Sequence, residues 1–323
     1  MRDHGGDLDR AIATYGGMRD EWIDLSTGIN RVPYPVPSIA PSAWECLPTR
    51  AEMEALRKQA AQTYATPHHI AILAGAQHAL QLLPYTRPKG HVRILGPTYN
   101  EYQAAFDYAG WRVEIVEKLT DLSGADVAIV VNPNNPDGRL SQPRDLLALR
   151  RNVSLLVVDE SFTDPTPNHS LSGVEDIQNL LILRSFGKFY GLAGLRLGFA
   201  IGSEDQISRL QNMAGPWPVC GAALQIGRAA LADDDWRRRM IGQLKSDAER
   251  LDQTVRRPCL GGTNLFRLYQ VKDSESLQRQ LAARRIWVRI FPWNQQIVRI
   301  GIPTGDDWSR LEDALSSLGD FGG

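Results

Sequence analysis

Seven short apolar runs, near residues 70–74, 92–96, 112–116, 127–131, 154–158, 180–184 and 198–202, recur along the chain and are separated by stretches that mostly read as helix. Runs of this length suit buried strands. Strands alternating with helices bury themselves as a mostly parallel sheet with helices on both faces, so the expected class is α/β. In such sheets ligands gather outside the carboxyl ends of the strands. The polar residues just past each run are therefore the ones to examine.

Past Leu180-Leu181-Ile182-Leu183 stands Ser185-Phe186-Gly187-Lys188, followed by Gly191-Leu192-Ala193-Gly194-Leu195-Arg196-Leu197-Gly198. One lysine lies between a hydroxyl and an arginine, and the glycines permit close backbone approach. An amine there can condense with an aldehyde while the Ser hydroxyl and the Arg fork bind a phosphate. Pyridoxal 5'-phosphate answers that description. Asn132-Pro133-Asn134-Asn135-Pro136-Asp137-Gly138 follows Val127–Val131, and Asp159 follows Leu155–Val158. Asn135, Asp159, Ser185 and Lys188 can thus converge on one crevice.

The order Asn-Pro-x-x-Pro-x-Gly, Asp-Glu-x-Phe, Ser-x-x-Lys and Gly-Leu-Arg-Leu-Gly resembles the fold-type I pyridoxal-phosphate enzymes of the class I/II aminotransferase superfamily, over nearly the whole chain. The resemblance implies a large domain with a mostly parallel seven-stranded sheet and a smaller C-terminal α+β domain. It makes Lys188, Asp159 and Tyr99 the catalytic candidates. A carboxylate at Asp159 facing the pyridine nitrogen favours its protonated form; the plain alternative is a helix N-cap. Asn135 would reach the ring's phenolic oxygen, or simply make an Asx-turn. Ala76 and Gln77 open a helical segment after the first run, where backbone amides suit phosphate, and join Ser185 and Arg196 as its expected binders. Tyr99 matches the aromatic that lies on the pyridine ring, though an aromatic after a strand is often core. Two positions depart from the common pattern: Phe162 stands where many relatives have Tyr, and Leu47 where many have a Tyr that reaches the neighbouring subunit's cofactor.

His4-Gly5-Gly6, Asp24-x-Ser26-x-Gly28-Ile29-Asn30, Pro216-Trp217-Pro218-Val219 and the pair Arg289 and Arg299 are similar to the branch of this superfamily that decarboxylates a phosphorylated amino acid in cobalamin biosynthesis. A substrate with a carboxylate and a phosphate needs two anion sites, and arginine forks suit both. The implied substrate residues are His4, Gly28, Asn135, Arg289 and Arg299. Arg299 is expected at the α-carboxylate and Arg289 with His4 at the phosphate, with the division between the arginines left open. The implied reaction is decarboxylation of O-phospho-L-threonine. Its nearest rival is transamination of histidinol phosphate; a rival of another class is a silent cofactor-binding regulator, which would be expected to have lost one of Lys188, Asp159, Asn135 or Arg196. A nucleotide-binding dehydrogenase lacks its Gly-x-Gly-x-x-Gly.

The 36 basic and 37 acidic side chains give a net charge of −1, which points to no nucleic-acid partner. Cys46, Cys220 and Cys259 form no Cys-x-x-Cys, so a reducing, cytoplasmic setting is expected. No signal core or membrane-length apolar stretch is read, and His68-His69 has no metal-ligand spacing. Asp233-Asp234-Asp235 before Arg237-Arg238-Arg239 reads as local ion pairs on a solvated helix. The expected organisation is an arm at 1–30, a large cofactor-binding domain at 31–205 and a small domain at 206–323 with strands at 263–268, 287–290 and 298–302. The arm has too little apolar periodicity to fold alone, and for that reason a homodimer is expected.

Overall fold

The structure, a computed structural model, describes residues 4–318. In chain order it contains α1 (Leu8–Tyr15), β1 (Ile23–Leu25), α2 (Ser42–Glu45), α3 (Arg50–Thr63), β2 (His69–Leu73), α4 (Ala76–Leu82), β3 (His91–Leu95), α5 (Glu101–Tyr108), β4 (Arg112–Val116), β5 (Val127–Val131) and α6 (Pro143–Arg150). There follow β6 (Leu156–Asp159), β7 (Leu180–Ser185), α7 (Phe186–Phe189), β8 (Gly198–Gly202), α8 (Glu204–Ala214), α9 (Gly221–Ala232) and α10 (Asp234–Val255). The chain then closes with β9 (Cys259–Thr263), β10 (Phe266–Gln270), α11 (Ser274–Ala282), β11 (Ile286–Phe291), β12 (Asn294–Gly301) and α12 (Asp307–Ser317). By its contacts the chain divides into two compact units. The larger holds residues 33–135 and 140–238; the smaller holds the N-terminal residues to Val32, residues 136–139 and the part from Arg239 onward.

In the larger unit a seven-stranded sheet runs β2-β8-β7-β6-β5-β3-β4. Only β8 is antiparallel, to both β2 and β7. Every residue of β5 is buried, as the unbroken Val-Ala-Ile-Val-Val run requires of a strand covered on both faces. Ala71, Leu73, Ile129, Val157 and Leu181 form one face with Leu80 of α4, Tyr102 and Phe106 of α5 and Leu210 of α8. Capping boxes, Thr49 with Glu52 and Ser203 with Gln206, start α3 and α8. The run at 112–116 is a strand, but not a buried one: β4 is the sheet edge and only its Val116 is buried.

In the smaller unit a sheet runs β1-β11-β12-β10-β9. Its core joins Ile23, Leu25, Val288, Val298 and Ile300 to Leu251 of α10, Leu277 and Leu281 of α11 and Leu311 of α12. The arm expected at 1–30, with too little core to fold alone, lies on the smaller unit of its own chain. Ile23 and Leu25 of β1 pair in parallel with Ile286 and Val288 of β11, and Leu8 and Ala11 of α1 pack with Trp22 and Trp287. A three-residue strand is too short to leave a periodic signal, and a parallel partner more than 250 residues away leaves none locally. Residues 206–238, placed beyond the expected boundary at 205, belong by their contacts to the larger unit, because Ile207 and Leu210 of α8 pack on its sheet. The strand expected at 263–268 is a hairpin, β9 turning into β10, with Thr263 Oγ1 accepting from Leu265 N in the turn.

Candidate active site

The parallel register sets the carboxyl ends of neighbouring strands level: Val131 pairs with Asp159, and Asp159 with Leu183 two residues before Ser185. Asp159 is buried and caps no helix, since turns follow it. Its Oδ1 accepts from Ser161 N at 2.9 Å and from the Ser161 hydroxyl, and its Oδ2 accepts from Tyr102 Oη at 2.7 Å.

Asn135 sits half-buried in the turn after β5. Two neighbours hold that turn. Asn132 donates to Ser141 O and accepts from Ser141 N, while Asn134 accepts from Thr98 Oγ1 at 2.6 Å and donates to Pro97 O at 3.0 Å. The second pair ties the turn to the loop that carries Tyr99. Tyr99 is partly buried against the core; its Oη donates to Gln77 Oε1 at 3.1 Å, and its ring meets Tyr102 edge-on with centroids 6.4 Å apart. Gln77 Nε2 in turn donates to Glu101 Oε2 at 3.4 Å. The Gln77 side chain is therefore committed to Tyr99 and Glu101, and its backbone amide is what it offers a phosphate.

Ser185 occupies the N-cap position of α7, yet its hydroxyl caps no amide. Lys188 lies in that short helix between buried Phe186 and Phe189, with Nζ 5.7 Å from the centre of the buried Phe162 ring. Arg196 is exposed, in left-handed backbone, and donates to Ala193 O at 3.1 Å. Its guanidinium packs on Gly75, where a Cβ would come within 2.9 Å of Nη2; a Cβ on Gly198 would come within 2.4 Å of Ala76 N. Only glycines let the Arg196 fork and the first amides of α4 approach this closely. The Arg196 fork, the first amides of α4, Ser185 and Lys188 comprise the donor set that a phosphorylated aldehyde requires.

Sequence reasoning passed over a buried charge cluster beside these residues. Arg184, between β7 residues Leu183 and Ser185, pairs with Glu160 at 2.8 Å and Asp164 at 2.6 Å and lies over the Tyr64 ring at 4.3 Å. It joins the end of β7 to the loop that begins at Asp159. The one signal in the sequence was a lone arginine inside an apolar run.

In the smaller unit Arg289 of β11 and Arg299 of β12 are direct cross-strand partners. Arg299 is buried, donates to Ser26 O at 2.6 Å and lies 4.9 Å from the Phe266 ring centre. Burial, and then the charge of Arg289, bring its guanidinium down to about 9, partly offset by Asp24. Asp24 also accepts from the Ser26 amide and hydroxyl, and Ser26 Oγ accepts from Gly6 N at 2.7 Å. A Cβ on Gly5 would come within 2.3 Å of Ser26 O, and Gly6 has a φ of 84°, which together explain the two glycines after His4. His4 and Arg289 line one cavity of about 220 Å³ with Asp7, Arg10 and Trp287. Gly28 is buried in the segment that leaves β1.

A family model for class I and II aminotransferases matches residues 42–318. The chain is 40% identical over 327 residues to a threonine-phosphate decarboxylase from Sinorhizobium sp, covering 98% of each sequence. It is 39% identical over 326 residues to a threonine-phosphate decarboxylase from Pseudomonas aeruginosa, covering 98% of this chain and 97% of the relative. A crystal structure of histidinol-phosphate aminotransferase from Sinorhizobium meliloti in complex with pyridoxal-5'-phosphate matches 99% of this chain and 96% of that one with a TM-score of 0.80. At 19% identity that likeness bears on the fold alone, and the fold it shares is the one the motifs implied.

Proposed function

The chain belongs to the class I and II aminotransferase family, and within it we propose a pyridoxal-phosphate-dependent lyase that decarboxylates O-phospho-L-threonine to (R)-1-aminopropan-2-yl phosphate for cobalamin biosynthesis. The observation that carries the substrate is the pairing of Arg289 with Arg299, the former sharing a cavity with His4. Two guanidinium groups directly opposite each other repel, and a substrate bearing two anionic groups relieves that repulsion. The near-full-length relatives named threonine-phosphate decarboxylase support the same choice.

Lys188 would carry the cofactor, Asp159 would hold its ring nitrogen, Asn135 its phenolic oxygen and Tyr99 its face. The amides of Ala76 and Gln77, with Ser185 and Arg196, would take its phosphate. Bound pyridoxal phosphate supplies an aldehyde for the substrate amine and a protonated ring that draws electrons from the bond broken at the α-carbon. Arg299 orients the carboxylate that leaves as carbon dioxide. Lys188 Nζ then delivers a proton to the α-carbon, helped by an apolar neighbour, Phe162, that offers no competing hydroxyl.

The motive for a homodimer changes, because the arm finds its partner within its own chain. Another observation now supports the proposal: Trp44, Leu47 and Trp217 are more than half exposed, on segments that meet where Gly221 packs against Ala43. Three free cysteines among the described residues support a reducing, cytoplasmic setting. No helix among them is long and apolar enough to cross a membrane.

The test is product identification. Protein supplied with pyridoxal phosphate is expected to convert O-phospho-L-threonine to aminopropanol phosphate, seen by phosphorus NMR, and to leave threonine untouched. Equal turnover of both amino acids would remove the phosphate site from the account.

A further inference from the structure

Tyr102 is fully buried at the second position of α5, in the same apolar layer as Val131, Val157 and Leu183. A phenylalanine would fill that space as well, and a phenol oxygen in such a layer is costly unless it is bonded. Its one hydroxyl donates to Asp159 Oδ2 at 2.7 Å. The other carboxylate oxygen, Oδ1, accepts from the amide and hydroxyl of Ser161. The donors arrive from separate elements, one from helix α5 and two from the loop after β6. A carboxylate plane is otherwise only loosely set, since the terminal torsion of Asp is broad.

We propose that Tyr102 is a positioning residue, which with Ser161 fixes the plane of the Asp159 carboxylate so that it meets the cofactor's ring nitrogen in one orientation. The inference rests on the cofactor reading above and names a residue outside its contact set. Burial, and then Asp159, hold the Tyr102 phenol well above the ordinary tyrosine value, so it remains the donor at any working pH. Tyr99, assigned to the face of the same ring, meets Tyr102 edge-on just before α5. The start of α5 thereby sets both the carboxylate and the stacking ring.

The experiment compares Tyr102→Phe with Phe106→Leu, a packing change on the same helix whose ring touches Trp111 rather than Asp159. Apo-protein is titrated with pyridoxal 5'-phosphate, and visible circular dichroism per bound cofactor reports ring orientation. Tyr102→Phe is expected to weaken cofactor binding about tenfold, from the loss of one hydrogen bond to a charged group, and to change the dichroic band. It should lower kcat while leaving KM for O-phospho-L-threonine within about twofold. Phe106→Leu should lower the melting temperature and move none of these. Ser161→Ala, which removes one of the two donors to the other oxygen and leaves the amide in place, should act in the same direction as Tyr102→Phe. If Tyr102→Phe and Ser161→Ala both keep the wild-type affinity and dichroism, the positioning role is overturned and the cofactor reading survives. A wild-type protein that does not take up the cofactor overturns both.

Discussion

Arg299 stands directly opposite Arg289 across the antiparallel β11–β12 ladder, on the face of the sheet away from the apolar core that Val288, Val298 and Ile300 enter. Like charges so placed destabilise a sheet, and a fold keeps them only at a cost in stability. The arrangement makes sense where an anion completes it, and it yields two opposed expectations for the two residues.

Arg299→Met should stabilise the ligand-free protein and disable it. The guanidinium is lowered from its ordinary value to about 9 by burial and by Arg289. Between about 9 and the ordinary arginine value the unfolded chain binds the proton that the folded chain has released, so stability rises with pH through that window. Below about 9 the folded protein bears the full cost of the buried charge. At pH 7 the Met variant should gain on the order of 1–3 kcal/mol in denaturant unfolding, while turnover of any amino acid substrate falls.

Arg289→Ala should single out the phosphate. Loss of a charge-assisted fork is expected to remove about 2–5 kcal/mol of transition-state binding for O-phospho-L-threonine. The visible spectrum of the bound cofactor should stay as in wild type. An unchanged kcat/KM would show that His4 and its neighbours hold the phosphate without this arginine.

Lys188→Ala should abolish covalent cofactor attachment and lower turnover by orders of magnitude. Borohydride reduction followed by peptide mapping is expected to label Lys188 in wild type and nothing in the variant. Labelling of a second lysine in the variant would displace Lys188 from its role.

Arg184→Met should destabilise the larger unit by about 3–5 kcal/mol, because Glu160 and Asp164 would be left buried without their cation. Urea unfolding at pH 7 measures this. A loss below about 1 kcal/mol would show that the cluster relaxes or admits water.

The larger unit's architecture was legible because parallel strands covered on both faces write continuous apolar runs into the sequence, and the polar residues Asp159, Asn135 and Ser185 mark the ends of those runs. The edge strand β4 misled for the complementary reason: apolar content marked a strand but could not say that it lies at the sheet edge with most of its residues exposed. The residues that hold the site were not legible. Tyr102, Asn134 and Arg184 act through partners 57, 36 and 20 residues away, and no local spacing encodes such pairings. The N-terminal arm escaped for a similar reason, since β1 is defined by a strand near the other end of the chain.

We propose that Lys188, Asp159 and the Arg289–Arg299 pair make a decarboxylase of a phosphorylated amino acid. Carbon dioxide release and glutamate formation, measured side by side on the cofactor-loaded protein, test it most directly. Carbon dioxide is expected from O-phospho-L-threonine with no oxo acid present, and no glutamate from histidinol phosphate with 2-oxoglutarate. Glutamate formed from histidinol phosphate, with no carbon dioxide from phosphothreonine, would contradict it and establish an aminotransferase.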